Sequence, residues 1–87
     1  MVGQFVISKA GHDKDRLYVI TAEEQEFVYL ADGRLKKPEF PKKKRRKHIQ
    51  PINTTVEEAL KKKLESGACV RPEEIRAAIR QYEESSR

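Results

Sequence analysis

Residues 34–48 concentrate side chains whose chemistry is the binding of anions. They contain nine Lys or Arg and one Glu, a net charge of +8, whereas residues 1–33 sum to −3 and residues 49–87 to zero. Like charges at this density repel one another until a polyanion neutralises them, so a polyanionic partner is the first hypothesis. The candidate binding residues of this basic segment are its cations, its aromatic residue and its histidine: Arg34, Lys36, Lys37, Phe40, Lys42, Lys43, Lys44, Arg45, Arg46, Lys47 and His48.

Six consecutive cations, Lys42–Lys47, form the densest part of this segment. In an extended chain, successive side chains point to opposite sides, and here a charge would lie on both sides. We therefore predict that the run is a loop or an edge, exposed on both sides. Contact with nucleic-acid phosphates is the favoured interpretation. The alternatives are a solvated loop without function, a nuclear import signal, and binding to anionic lipid, for which the sequence offers no flanking anchor.

Residues that could catalyse a reaction or bind a metal are not arranged for either task. His12 and His48 are far apart in the sequence and share no carboxylate or cysteine at ligand spacing. Cys69 is the single cysteine, so it can form neither an internal disulfide nor a zinc site. No nucleophile with its base and no phosphate-binding glycine loop is recognisable. We predict that the protein is not an enzyme and uses no metal, cofactor or small-molecule substrate.

The length and composition indicate one small domain, or a small domain with an appendage. The chain has 87 residues, of which 38% are charged and 37% hydrophobic, so much of its surface must be solvated or engaged. It has no apolar run long enough for a membrane span or for the core of a signal peptide. We therefore expect a soluble, cytoplasmic protein that has no membrane partner.

The first part of the chain, residues 1–53, reads as short β-strands. Asp32-Gly33 is typical of a type I′ turn and predicts a hairpin from the third strand into residues 34–37. A last strand around residues 47–50 would end at Pro51, which lacks the N–H of a central strand position. Five short strands predict a small SH3-like barrel. The first three are runs rich in β-branched and aromatic residues: 4–8, 16–21 and 26–31.

The second part, residues 54–87, reads as two helices. Residues 55–58 resemble a capping box that begins with Thr55, and Gly67 is a plausible end of the first helix. Pro72 is a favourable first residue for the second helix. Each helix carries an apolar stripe, and the second and third strands are apolar on both faces, so we predict that the helices cover the sheet. The alternative is that the second helix docks on a partner.

Residues 2–20, VGQFVISKAGHDKDRLYVI, resemble a KOW motif, a strand–loop–strand unit with a glycine in its loop. This motif occurs in ribosomal proteins and transcription elongation factors. Together with residues 31–34 and 42–51, the chain is similar to small bacterial KOW-domain RNA-binding proteins. Those proteins are related to the archaeal and eukaryotic large-subunit ribosomal protein of the L14e class. The resemblance covers residues 2–51 well and the helical part loosely.

The resemblance implies an SH3-like barrel that binds RNA through the loop between its first two strands. Gly11 would be the motif glycine, and the family often has a second glycine where this chain has Asp15. Asp13 and Asp15 offset part of the loop's positive charge, which shifts the expected main contact to the basic segment. The residues in or beside the RNA-facing loop would be Lys9, His12, Lys14 and Arg16.

Structured RNA is the favoured polyanion, because neither predicted helix has the basic exposed face of a helix that reads DNA. Cations in loops are suited to recognising the positions of phosphates and the shape of a folded RNA. Tyr18 and Tyr29 are expected in the core, whereas Phe40, between two prolines, is the candidate for stacking on a base. The resemblance points to ribosomal RNA of the large subunit and to a ribosomal or ribosome-associated protein. The alternative function is a protein-interaction module that docks on a ribosomal protein or on RNA polymerase.

Overall fold

Five strands are followed by two helices, as the sequence predicts. The computed structural model describes residues 1–86, and its strands are β1 (Gln4–Ser8), β2 (Leu17–Glu23), β3 (Phe27–Ala31), β4 (Lys42–Arg45) and β5 (Ile49–Thr55). A short 3-10 turn, Arg46–His48, joins β4 to β5, and the helices α1 (Glu58–Ser66) and α2 (Pro72–Ser85) follow. The strands pair antiparallel in one open sheet in the order β4-β3-β2-β1-β5. The prediction of a mainly β fold with two C-terminal helices is confirmed.

The fourth strand differs from the sequence prediction. It consists of residues 42–45, which pair with β3, whereas residues 34–37 belong to a loop. A type I′ turn needs positive φ at both central residues, but Gly33 alone of the pair has it, at +77°. The Asp32 carboxylate instead accepts hydrogen bonds from the backbone N–H groups of Arg34 and Lys36, both at 2.9 Å. The hairpin prediction is wrong because this side chain favours a different turn.

The fifth strand and the first helix also depart from the predicted boundaries. β5 continues through Pro51 to Thr55, because it is an edge strand in which a missing N–H can face away from the ladder. Thr55 therefore pairs with Gln4 in the sheet and does not cap a helix; α1 begins at Glu58 without a side-chain cap. The helix end at Gly67 and the helix start at Pro72 are as predicted.

The sheet is strongly curved. β4 and β5 are its two edges, and four strand spacings would separate them by roughly 19 Å in a flat sheet. The 3-10 turn that connects them rises only about 2 Å per residue, so the edges must approach each other. Register shifts in the β1–β5 and β2–β3 pairings mark bulges, which bend strands. The turn lies across the gap, since Arg46 N–H donates to the Glu26 carbonyl and Lys9 N–H donates to the His48 carbonyl.

Each face of the sheet has its own apolar core. The helices cover one face, where Leu60 and Ile75 pack against Phe5, Val19 and Ala31, so the predicted docking of the helices on the sheet is confirmed. Within residues 1–86 neither helix contributes to the core on the other face, and the curvature of the sheet closes that core around its own side chains. These are Val6, Tyr18, Ile20, Val28, Leu30 and Ile49. Within residues 1–86, neither helix combines the length and apolar character that crossing a bilayer requires.

Candidate nucleic-acid interface

Two basic loops leave the same end of the sheet. Because neighbouring strands are antiparallel, the β1–β2 loop (residues 9–16) and the β3–β4 loop (residues 32–41) both emerge where β1 and β3 end. β5 begins at this end as well, and Lys9 N–H donates to the His48 carbonyl at 2.8 Å. The fold therefore brings together the two basic stretches that the sequence separates. We call the two loops and residues 42–48 the basic end, but β4 runs from this end to the opposite one, where Arg45 pairs with Phe27 and Arg46 N–H donates to the Glu26 carbonyl.

A buried carboxylate, Asp13, ties the β1–β2 loop to β4. Its Oδ1 accepts hydrogen bonds from Lys44 Nζ at 2.8 Å and from Ser8 Oγ at 2.9 Å. Its Oδ2 accepts from the Tyr18 hydroxyl at 3.2 Å and lies 3.0 Å from Lys42 Nζ. We call these five residues the Asp13 cluster. Asp13 does not offset the cations of its own loop, as the sequence suggested, because its charge is directed inward to β4.

Lys44 overturns the prediction that the cationic run is exposed on both sides. It pairs with Val28 in the β3–β4 ladder and faces the core, where its side chain is only 8% exposed. Its ammonium donates to the Ala10 carbonyl at 2.6 Å in addition to Asp13. A lysine can be buried here because Asp13 supplies the opposite charge and both groups are hydrogen-bonded. Lys44 therefore belongs to the interior and not to the surface that a polyanion would meet.

Burial and hydrogen bonding act in opposite directions on the Asp13 carboxyl. Burial raises its pKa, but hydrogen bonds from Lys44, Lys42 and Ser8 outweigh that effect and hold the pKa well below its usual range. Burial, followed by the negative charge of Asp13, raises the pKa of the Tyr18 hydroxyl to about 12. Around neutral pH the cluster therefore contains an ionised Asp13 and a protonated Tyr18, which is the combination that its hydrogen bonds require.

The other side of β4 presents cations over an aromatic ring. Lys43 Nζ lies 4.4 Å from the centroid of the Phe27 ring, and the guanidinium carbon of Arg45 lies 5.2 Å from it. Both side chains are exposed and alternate with Lys42 and Lys44 along the strand. Cation–π contact holds the charged groups of Lys43 and Arg45 near the ring, while both side chains remain exposed to solvent. β4 therefore has one side that faces the Asp13 cluster and one side whose cations are exposed to solvent.

The other predicted binding residues lie at the surface, but some of them are already engaged by neighbouring groups. Arg46 is engaged, since its guanidinium donates to the Glu24 and Gln25 carbonyls and lies 4.0 Å from the Glu23 carboxylate. Lys42 is half-buried beside Asp13, while His12 is exposed and His48 half-buried. Nine cations of the basic end form no ion pair among residues 1–86: Lys9, Lys14, Arg16, Arg34, Lys36, Lys37, Lys43, Arg45 and Lys47.

The prediction that Tyr18 and Tyr29 belong to the core is right for Tyr18 and wrong for Tyr29, which no core cluster includes. Tyr18 is 1% exposed and belongs to the core, and Tyr29 is half-buried with its hydroxyl bonded to Glu24. Phe40 is 80% exposed at the outer part of the β3–β4 loop. A turn in which Phe40 N–H donates to the Lys37 carbonyl at 3.0 Å holds it there. Phe40 is thus free to contact a partner.

Two residues of the β1–β2 loop have left-handed backbone conformations. Gly11 has φ of +86°, as expected for the motif glycine, and Asp15 has φ of +73°. Aspartate tolerates this region better than most residues, although glycine prefers it. Asp15 therefore occupies a conformation that glycine adopts with less strain. Backbone hydrogen bonds close the loop, among them Asp15 N–H to the Ser8 carbonyl at 2.8 Å.

Sequence reasoning missed the residues that organise the basic end. Asp13 and Lys44 are separated by 31 positions, and no local pattern connects them. The contact of Phe27 with β4 was missed for the same reason, because it depends on the register of the β3–β4 ladder. One signal was present: a strand made only of cations needs a buried anion on its inner side.

Comparison with known proteins does not assign the chain to a family. No protein-family model matches the chain, and no curated protein matches it significantly. Within residues 1–86, no three His, Cys, Asp or Glu side chains approach one another as metal ligands would. The chemistry of the site is therefore argued from its geometry and its charge.

Proposed function

We propose that this protein binds structured RNA without catalysing a reaction, and that its cationic basic end contacts the RNA phosphates. The observation that carries the proposal is the division of β4. Asp13 neutralises the inward lysines, while Lys43, Arg45 and the loop cations have no carboxylate partner among the described residues. Cations held in fixed positions without an internal counterion bind a polyanion by releasing its condensed counterions.

The fold supports an SH3-like barrel of the KOW type. Five short antiparallel strands in one curved sheet, whose two edge strands are joined by a 3-10 turn, are compatible with a small barrel of this kind. The positive φ values of Gly11 and Asp15 agree with the glycines that the motif favours in this loop. In this proposal the β1–β2 loop contributes more than the sequence suggested, because Asp13 does not weaken its outward charge.

Ribosomal RNA of the large subunit is the RNA that we propose, with the protein acting as a ribosomal or ribosome-associated protein in the cytoplasm. The support is the resemblance of residues 2–51 to ribosomal KOW proteins, together with an interface made of loops. Loop cations follow phosphate positions and RNA shape and do not read base edges in a groove.

Salt dependence of RNA binding tests the electrostatic mechanism. If six to nine cations contact phosphates, the logarithm of the association constant should fall against the logarithm of salt concentration with a slope of roughly −4 to −8. Changing Lys43, Arg45 and Lys47 to Gln should reduce that slope by about two to three with the fold intact, and the loss of the two contacts with Phe27 should lower the melting temperature only slightly. The matched control changes Lys61, Lys62 and Arg80 to Gln, which also removes three charges but lies on the helices.

Three results would overturn this proposal. A slope of about −1, or a β4 variant that binds like its matched control, would mean that the basic end is only solvated. Binding to ribosomal particles that persists at high salt would favour the protein-interaction alternative. Sedimentation of a lysate at low and high salt distinguishes these results and also tests the ribosomal assignment, since the protein should move with large subunits at low salt only.

A further inference from the structure

The first turn of α2 lies against the base of the β3–β4 loop. Arg76 Nη1 donates a hydrogen bond to the Gly33 carbonyl at 2.6 Å. A Cβ atom at residue 33 would clash with the Pro72 carbonyl oxygen, and the φ of +77° at Gly33 also favours glycine. The loop can approach the helix this closely because residue 33 has no side chain.

The contact at Gly33 holds in place the turn that carries the next cations along the chain. The N–H groups of Asp32 and Gly33 both donate to the Lys36 carbonyl, at 2.9 and 3.1 Å. The Asp32 carboxylate closes the same turn by accepting from the N–H groups of Arg34 and Lys36. Residues 32–36 therefore form one compact unit, so a shift of Gly33 would carry Arg34 and Lys36 with it.

We infer that Arg76 is a positioning residue for RNA binding. It holds the β3–β4 loop in the conformation in which the loop cations contact RNA phosphates. The inference rests on the proposed function. Arg76 itself is a poor phosphate ligand, since it is half-buried, bonded to Gly33, and 3.6 Å from the Glu73 carboxylate. Its effect comes through the loop, because a loop that is ordered before binding loses less conformational freedom when it binds.

A double-mutant cycle tests the inference. Its variants are Arg76→Ala, the loop triple Arg34→Gln/Lys36→Gln/Lys37→Gln, and their combination, with binding of a labelled RNA hairpin measured between about 50 and 200 mM salt. Arg76→Ala should weaken binding about three- to tenfold in the parent and by less than about twofold in the loop triple. The control Arg80→Ala removes an exposed cation one turn further along α2 and should have little effect in either background.

Two further variants separate positioning from general damage. Arg76→Lys keeps a donor for the Gly33 carbonyl and should recover most of the affinity. Gly33→Ala displaces the loop without changing any charge and should weaken binding, again only when the loop cations are present. Equal losses from Arg76→Ala with and without the loop cations, or a loss no larger than that from Arg80→Ala, would overturn the inference. A shallow salt slope of the parent would instead overturn the proposed function.

Discussion

Replacing Asp13 with Asn should reveal how much the Asp13 cluster stabilises the fold. The carboxylate is 6% exposed and is the anion for both Lys42 and Lys44, so the variant leaves the ammonium of Lys44 buried without a counter-charge. Removing one partner of a buried ion pair costs about 3–5 kcal/mol. The Ala10 carbonyl still accepts from Lys44, and Lys42 is 31% exposed, so we expect the lower end, about 3 kcal/mol.

Urea denaturation and thermal melting measure this loss. For a domain of this size, 3 kcal/mol corresponds to a fall of roughly 12–24 °C in melting temperature. Adding Lys44→Met to the Asp13→Asn variant removes the uncompensated ammonium and should recover about 1–2 kcal/mol. The reasoning is refuted if Asp13→Asn costs less than about 0.5 kcal/mol, or if the double variant is no more stable than the single one.

The same cluster predicts a pH dependence with a definite sign. The pKa of Asp13 is lower in the folded protein than in the unfolded chain, where it is about 3.9. As the pH falls below that value, the unfolded state takes up a proton that the folded state still excludes, so this stabilisation is complete above the unfolded pKa and is lost towards the folded one. The difference in stability between the parent and Asp13→Asn should therefore shrink below about pH 4.

Three further predictions concern the core, the β1–β2 loop and the exposed aromatic. Leu60→Ala should cost about 2–4 kcal/mol of unfolding free energy because Leu60 is buried against the sheet, whereas Leu35→Ala, at an exposed position, should change it by less than about 0.5. Gly11→Ala should lower the free energy of unfolding by about 1–2 kcal/mol, because alanine disfavours the positive φ of this position. Asp15→Gly should change it by less than about 0.5 kcal/mol, because the relief of backbone strain offsets the added entropy of the unfolded chain. Equal losses from the two variants would contradict this. Phe40→Ala should leave the melting temperature unchanged and remove about 1–3 kcal/mol of RNA binding with the same salt slope, if the ring stacks on a base; unchanged affinity would exclude stacking.

The parts of the fold that follow from local pattern could be predicted from the sequence. The first three strands are where β-branched and aromatic residues are dense, and α2 begins at Pro72 because proline suits a first helical turn. Predictions failed where the conformation was decided by a side-chain hydrogen bond or a strand pairing that the local sequence pattern does not show. Asp32 bonds to the backbone and prevents the expected hairpin, and Thr55 pairs in the sheet before a helix can begin.

The candidate site could also be predicted only in part. Charge counting located the basic segment, since a concentration of cations requires no knowledge of the fold. It could not show which cations are free, because Lys44 is neutralised by a residue 31 positions away and Arg46 by the β2–β3 turn. Only the tertiary pairing separates the structural cations from those that remain free to bind.

The Asp13 cluster also resolves an ambiguity that the cationic run creates. In a strand, a slip by one residue moves every side chain to the opposite face, and apolar alternation normally prevents it. β4 consists of four cations, so it has no such alternation. If β4 slipped by one position against β3, Lys43 and Arg45 would enter the core and lose Phe27, and Lys44 would leave Asp13. Asp13 is bonded to Ser8 and Tyr18 and cannot follow. A slip in one direction would therefore put Pro41 in place of Lys42 beside it, and a slip in the other would put the larger Arg45 into the buried site of Lys44, so the cluster favours the observed register.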